Sequence, residues 1–231
     1  MPYPSDVAFT DTVKSVQSRK GSRHVYARIE EAGSWQSEIT PELKEFIEAQ
    51  TSVFLATANS AGQPYIQHRG GPPGFLRVLD DRTIGFADFL GNRQFITVGN
   101  LTENPKAHLF LIDYSHRQRI KIWGEARVVE AGDESAGDEL SARLMPKGYK
   151  ARIAQLILFK VVAWEANCRQ HIPQRFEAAD VAAVLADRDQ RIEALEAEIR
   201  ALRGSPRSAA PATSREPGTE QQDRKGAPLR R

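Results

Sequence analysis

Gln67-His68-Arg69-Gly70-Gly71-Pro72-Pro73-Gly74-Phe75 and Asp88-Phe89-Leu90-Gly91-Asn92-Arg93-Gln94 flank a short apolar strand pair. Each polar cluster sets an arginine among glycines. Guanidinium forks match phosphate oxygens. Glycines let backbone N–H groups come close to an anion. Asn92-Arg93-Gln94 also reads as the opening of a helix over Gly91 to Leu101, and a helix N-terminus favours negative charge. This part of the chain therefore predicts a grip on a small phosphorylated ligand.

The strands around these clusters set the fold class. Thr40-Pro41-Glu42 starts a helix: Thr as cap, Pro at the first helical position and an acid in the first turn. Leu43, Phe46 and Ile47 mark its buried face. Ser52 to Ala58 is an apolar strand closed by the turn Asn59-Ser60-Ala61-Gly62-Gln63-Pro64. Tyr65 to Arg69 follows. Phe75 to Leu79 and Thr83 to Asp88 make a hairpin through Asp80-Asp81-Arg82. Glu103-Asn104-Pro105 stops the helix that begins at Gly91. Ala107 to Asp113 is apolar enough for a central strand. Arg119 to Glu130 alternates along a long strand, with a bulge expected at Gly124. Asp133 to Leu144 reads as a helix and Gln155 to Asn167 as the last strand. Short strands joined by hairpins predict a mainly β barrel with flanking helices, not a doubly wound sheet.

Outside the barrel, residues 1–39 are polar and weakly periodic, an N-terminal arm with one helix near Asp11 to Lys20. The barrel domain spans 40–176. Val181, Leu185, Arg188, Ile192, Leu195, Ile199 and Leu202 repeat at alternating spacings of four and three. This heptad seam predicts a coiled-coil helix over 177–203. Residues 204–231 are rich in Pro, Ser, Ala, Gly and charge and read as a disordered tail.

Composition excludes several function classes. Hydrophobic residues make up 40% and charged residues 27% of the 231 positions, and the net charge is +2. Six Lys/Arg against three Asp/Glu fall in residues 204–231, which leaves residues 1–203 at −1. The main domain therefore carries no nucleic-acid footprint. No run approaches the ~18 apolar residues of a membrane span, and the first residues do not read as a secretory signal. Cys168 is the single cysteine, which fits a reducing, cytoplasmic setting. His24, His68, His108, His116 and His171 show no metal-ligand spacing, so no metal is expected.

The order and spacing of several phrases resemble the FMN-binding split barrels of the pyridoxamine 5′-phosphate oxidase-like family over Thr40 to Phe176. They are Phe54-Leu55-Ala56-Thr57 with Gly62-Gln63-Pro64, the two arginine clusters, Phe86-Ala87-Asp88, Asn100-Leu101 with Asn104-Pro105, Ile120-Lys121-Ile122-Trp123-Gly124, and Asn167-Cys168-Arg169-Gln170-His171-Ile172-Pro173. The resemblance implies a homodimer with FMN at the subunit interface. It assigns the FMN phosphate to Arg69, with Asn92, Arg93 and Gln94. Phe86, Ala87 and Asp88 would run along the flavin ring, and Lys121 and Trp123 would reach the flavin of the other subunit. Beside such a flavin, His68, the Pro72-Pro73 loop and His171 of the other subunit are read as facing a small-molecule substrate, each histidine being open to a second reading as a hydrogen-bonded structural residue.

True pyridoxamine phosphate oxidases carry an Arg-Leu-His-Asp-Arg-type segment near the C-terminus. Here the comparable place reads Arg169-Gln170-His171-Ile172-Pro173-Gln174-Arg175, with altered spacing and no Asp. The resemblance thus implies the fold and an FMN-dependent oxidoreductase more than vitamin B6 chemistry. It designates no catalytic side chain. A flavin-binding sensor, or the same barrel holding haem or a deazaflavin, are the alternatives. Asp88 is open to a second reading as a turn cap, Trp123 to one as packing, and Lys121 to one as an outward surface lysine.

Overall fold

The computed structural model describes residues 3–130, 136–166 and 169–204. The expected tail, Cys168 and the expected start of the helix at Asp133 lie outside those residues. The chain divides into two compact units, Met1–Glu177 and Ala178–Arg231.

In the first unit a short 3₁₀ turn, Pro4–Val7, precedes α1 (Asp11–Arg19) and α2 (Arg23–Glu31). Next come α3 (Pro41–Ala49), β1 (Ser52–Ala58), β2 (Pro64–Gly70), β3 (Leu76–Asp80) and β4 (Thr83–Phe89). The unit continues with α4 (Ile96–Glu103), β5 (Lys106–Asp113), β6 (Gln118–Glu130), α5 (Ala136–Leu144) and β7 (Ile153–Ala166). The second unit contributes α6 (Ala178–Gly204). No helix among the described residues is long and apolar enough to cross a membrane.

Seven strands form one sheet in the order β2-β1-β5-β6-β7-β4-β3, every neighbour antiparallel. Strand alternation decides what goes inside. Along β1, Val53, Leu55 and Thr57 are buried while their neighbours are half-buried. Leu55, Leu109, Ile122, Phe159, Ile84 and Phe86 are fully buried in the same core. The sheet curls until β2 and β4, far apart in strand order, touch through Arg69 and Asp88, with 2.8 Å between Nε and Oδ1. No ladder joins β2 to β3, so the closed shape is a split barrel flanked by helices.

Local chemistry sets several boundaries. The Thr40 hydroxyl accepts from the Leu43 N–H and starts α3. The register slips between Trp123 and Gly124, the bulge expected from sequence. A Cβ at Gly124 would collide with the Lys160 carbonyl oxygen and lie 2.5 Å from Phe159 Cε1, so only glycine fits. Gly74, at φ +83°, turns the loop back so that its N–H donates to the Glu48 carbonyl at 2.6 Å.

Two expectations need correction. The helix expected from Gly91 begins at Ile96 instead. Arg93 (φ 60°) and Phe95 (φ 55°) are left-handed, a conformation that an α-helix does not contain. Asn92, Arg93 and Gln94 therefore lie in the loop before the helix and do not open it. The N-terminal arm, read as holding one helix, holds two. Its side chains pack: Phe9 meets Tyr26 at 5.4 Å and Trp35 at 5.3 Å between ring centroids. Glu30, 4% exposed, accepts from Ser5 and pairs with Arg23. Gln36 bridges to Trp164 of β7, and Trp35 stacks on Trp123 of β6 at 4.8 Å.

Candidate ligand-binding site

Strand β2 turns Tyr65, Gln67 and Arg69 toward one side, half-buried, while Ile66 and His68 are exposed on the other. The inward row borders a cavity of about 320 Å³. Asp88 and the loop from Phe89 to Phe95 form another wall, and the first turn of α4 and Gln155 complete it. That volume lies at the small end of ordinary ligand pockets.

Arg69 is held electrostatically but is poorly hydrogen-bonded. Its Nε lies 2.8 Å from Asp88 Oδ1, yet this buried nitrogen has no aligned acceptor. The two Nη2 contacts, to Asp88 Oδ2 and Thr97 Oγ1, are each 3.5 Å, and Nη1 reaches the His68 carbonyl at 3.4 Å. Those lengths are at the weak limit for N–H···O bonds. Asp88 is bound more firmly from the far side, accepting from Gln155 Nε2 at 2.8 Å. The guanidinium is thus oriented into the cavity with donor capacity left over.

Three features around Arg69 favour an anion. Helix α4 has Phe95 at its N-cap position and so lacks a side-chain cap, which leaves its first-turn N–H groups with their positive end toward the cavity that Ile96, Thr97 and Val98 line. The helix is anchored from below, where the buried Asn100 amide donates to Thr57 Oγ1 of β1 at 3.0 Å. Arg93 borders the same cavity, its guanidinium 6.0 Å from the Phe95 ring centroid. Asn92 Oδ1 accepts weakly from the Gln94 N–H at 3.4 Å, which ties the loop to itself.

The structure therefore brings Arg69, Asp88, Asn92, Arg93 and Gln94 around one cavity. Phe86 and Ala87 direct buried side chains into hydrophobic clusters. The β3 ladder ends at the Leu76–Phe86 pair while the β7 ladder runs on, so Ala87 and Asp88 present a backbone edge with no ladder partner on that side.

Lys121 and Trp123 do not join this cavity. They share one face of β6, as alternation predicted. Lys121 Nζ is 3.0 Å from Glu165 and 5.4 Å from the Trp123 ring centroid. Trp123 lies between Trp35 and the edge of His108, each 4.8 Å away. Burial, and then the charge of Lys121, pull the His108 imidazole down to about 4. His68 bonds Ser52 Oγ at 2.8 Å. His68, Pro72, Pro73 and His171 do not line the cavity either.

Sequence reasoning missed Gln155, Thr97 and Tyr65, and gave Gln67 of the first cluster no role of its own. Gln155 had a signal: an amide opening the apolar run Leu156-Ile157-Leu158 must find a buried partner, and Asp88 is that partner. Among the described residues no cluster of three or more His, Cys, Asp or Glu is placed to hold a metal.

Residues 39–168 match the family described as pyridoxamine 5′-phosphate oxidase. No curated protein matches the chain. Among solved structures, HupZ of Group A Streptococcus is 22% identical, with 60% of this chain and 99% of that one covered and a TM-score of 0.42. An FMN-binding protein from Syntrophomonas wolfei is 18% identical, with 65% and 97% covered and a TM-score of 0.41. HutZ, the heme storage protein from Vibrio cholerae, is 16% identical, with 53% and 89% covered and a TM-score of 0.34.

Proposed function

We propose that this chain, which belongs to the pyridoxamine 5′-phosphate oxidase family, binds FMN as a homodimer and acts as an oxidoreductase on a small molecule. The observation that carries the reading is Arg69: a buried Nε without an aligned acceptor, beside an uncapped helix start and a second arginine. A terminal phosphate satisfies all three at once.

In this reading Arg69 and Arg93 grip the phosphate, and Asn92 and Gln94 add polar contacts from the loop. Asp88, held by Gln155, keeps the Arg69 fork from swinging away. The unpaired backbone edge of Ala87 and Asp88 meets the polar rim of the ring, with Phe86 fixing the strand from inside the core. Lys121 and Trp123 do not line the cavity of their own chain and are assigned to that of the second subunit. A cation there favours an electron-rich ring edge. Bound FMN supplies hydride transfer at its N5. The chain's residues supply binding, orientation and electrostatics, and no side chain is assigned a proton-transfer role.

The absorption spectrum of the purified protein tests the cofactor. Flavin bands, with FMN quenched on titration, are expected; a Soret band or a deazaflavin spectrum in protein that does not bind FMN overturns the reading. Arg69→Ala and Arg93→Ala each remove charge-assisted contacts worth about 1.5–3 kcal/mol, or roughly ten- to hundredfold in FMN affinity. Circular dichroism should be unchanged. Unaltered FMN affinity in both folded variants removes these residues from the phosphate site. Steady-state reduction by NADH or NADPH tests turnover.

A further inference from the structure

Helix α6 is 27 residues long and buries none of them. Six of its seven large apolar side chains share one stripe, with Val184 at g beside it. Val181, Leu185, Ile192, Leu195, Ile199 and Leu202 are between 41% and 71% exposed and fall on the two seam positions of a heptad. Ala178, Leu185, Ile192 and Ile199 occupy a; Val181, Arg188, Leu195 and Leu202 occupy d. An apolar stripe of this length in water calls for a partner.

We propose that α6 pairs in parallel with α6 of a second copy of this chain. The seam itself selects that occupant. Ile at a with Leu at d, as in the last two heptads, favours two parallel strands. The flanking charges agree. In a parallel pair Arg191 at g faces Glu196 at e of the second copy, and Glu198 faces Arg203. By symmetry each pair occurs twice, and every one is opposite in sign. An antiparallel pair with full overlap sets Arg191 against Arg191 and Asp189 against Asp189, like charges in both; one slipped by a heptad, so that Leu185 faces Leu202, sets Arg191 against Glu198 but also Asp189 against Glu196, so attraction and repulsion cancel. Among the described residues Glu196 has a loose exposed contact, 3.7 Å to Arg200, which leaves it available to the second copy. Arg188 is the seam's defect. As a d residue it enters the facing hole beside Asp189 of the second copy, which answers its charge.

The test uses the full chain, with Cys168→Ser removing the native thiol. Leu202→Cys in that background places one thiol at d, and Ala197→Cys places one at f, away from the seam. After mild oxidation, the expected result is an interchain disulfide at Leu202→Cys several-fold more abundant than at Ala197→Cys. Glu196→Arg should lower that yield, and adding Arg191→Glu should restore it by reversing the pair. Three results overturn the proposal: no cross-link at Leu202→Cys, equal cross-linking at both positions, or a link found only when Leu185→Cys and Leu202→Cys chains are mixed, which is the antiparallel arrangement. The readout follows the helices and not the flavin, so its failure leaves the cofactor reading standing.

Discussion

Ile47 in α3 and Ile192 in α6 both belong to helical stripes read from sequence, yet Ile47 is fully buried and Ile192 is 52% exposed. The first packs on the barrel core of its own unit. The second lies on a helix in which no residue is buried. Periodicity says that a face wants covering; it does not say by what. The barrel unit buries the apolar face of its helix in its core, while the helical unit leaves its apolar residues exposed.

The strongest test of that contrast truncates an apolar residue in each unit. Phe159→Ala empties a fully buried site and should destabilise the barrel by about 3–5 kcal/mol. Ile199→Ala should leave the barrel's urea unfolding within about 0.5 kcal/mol. Comparable losses would mean that α6 packs on the barrel after all.

Acid provides the next largest effect. His108 is held near 4 in the fold against an ordinary value of 6.5, so the unfolded chain takes up its proton first. Its contribution is present above about pH 6.5 and is lost as pH falls toward 4. The loss should be on the order of 2 kcal/mol, allowing for partial exposure. His108→Gln should flatten barrel stability over that range, whereas substitutions in α6 should leave the acid slope untouched.

The smallest effect is expected from removing α6 altogether. A chain ending at Phe176 should remain an FMN-loaded dimer by light scattering and absorbance, with a slightly lower melting temperature. A monomer that keeps its flavin would overturn the assignment of Lys121 and Trp123 to the second subunit's site.

Much of the barrel was legible because its signals are local. The limits of β1 follow from apolar alternation and a Gly-containing turn, the start of α3 from the Thr40-Pro41 pair, and the bulge from a lone glycine in a long strand. The site was legible only in part. Arg69 and Arg93 stood out by residue type, but the loop conformation did not. Left-handed arginine and phenylalanine are uncommon, and nothing in Asn92-Arg93-Gln94-Phe95 announces them. Helix α2 was missed because its reason to exist is distant: Tyr26 packs on Phe9, and Glu30 is satisfied by Ser5 and Arg23.

What the amino-acid sequence determined alone is the set of strands, the turn chemistry, the candidate phosphate arginines and the apolar spacing along α6. Each depends on spacings of a few residues, where backbone sterics and capping act directly. Tertiary structure alone decided that Arg69 meets Asp88, that Gln155 holds Asp88 from behind, and that Trp35 covers Trp123. Those partners are 19, 67 and 88 positions apart in the chain. Only the curl of the sheet and the return of the N-terminal arm bring them within contact distance, and no local preference encodes that closure.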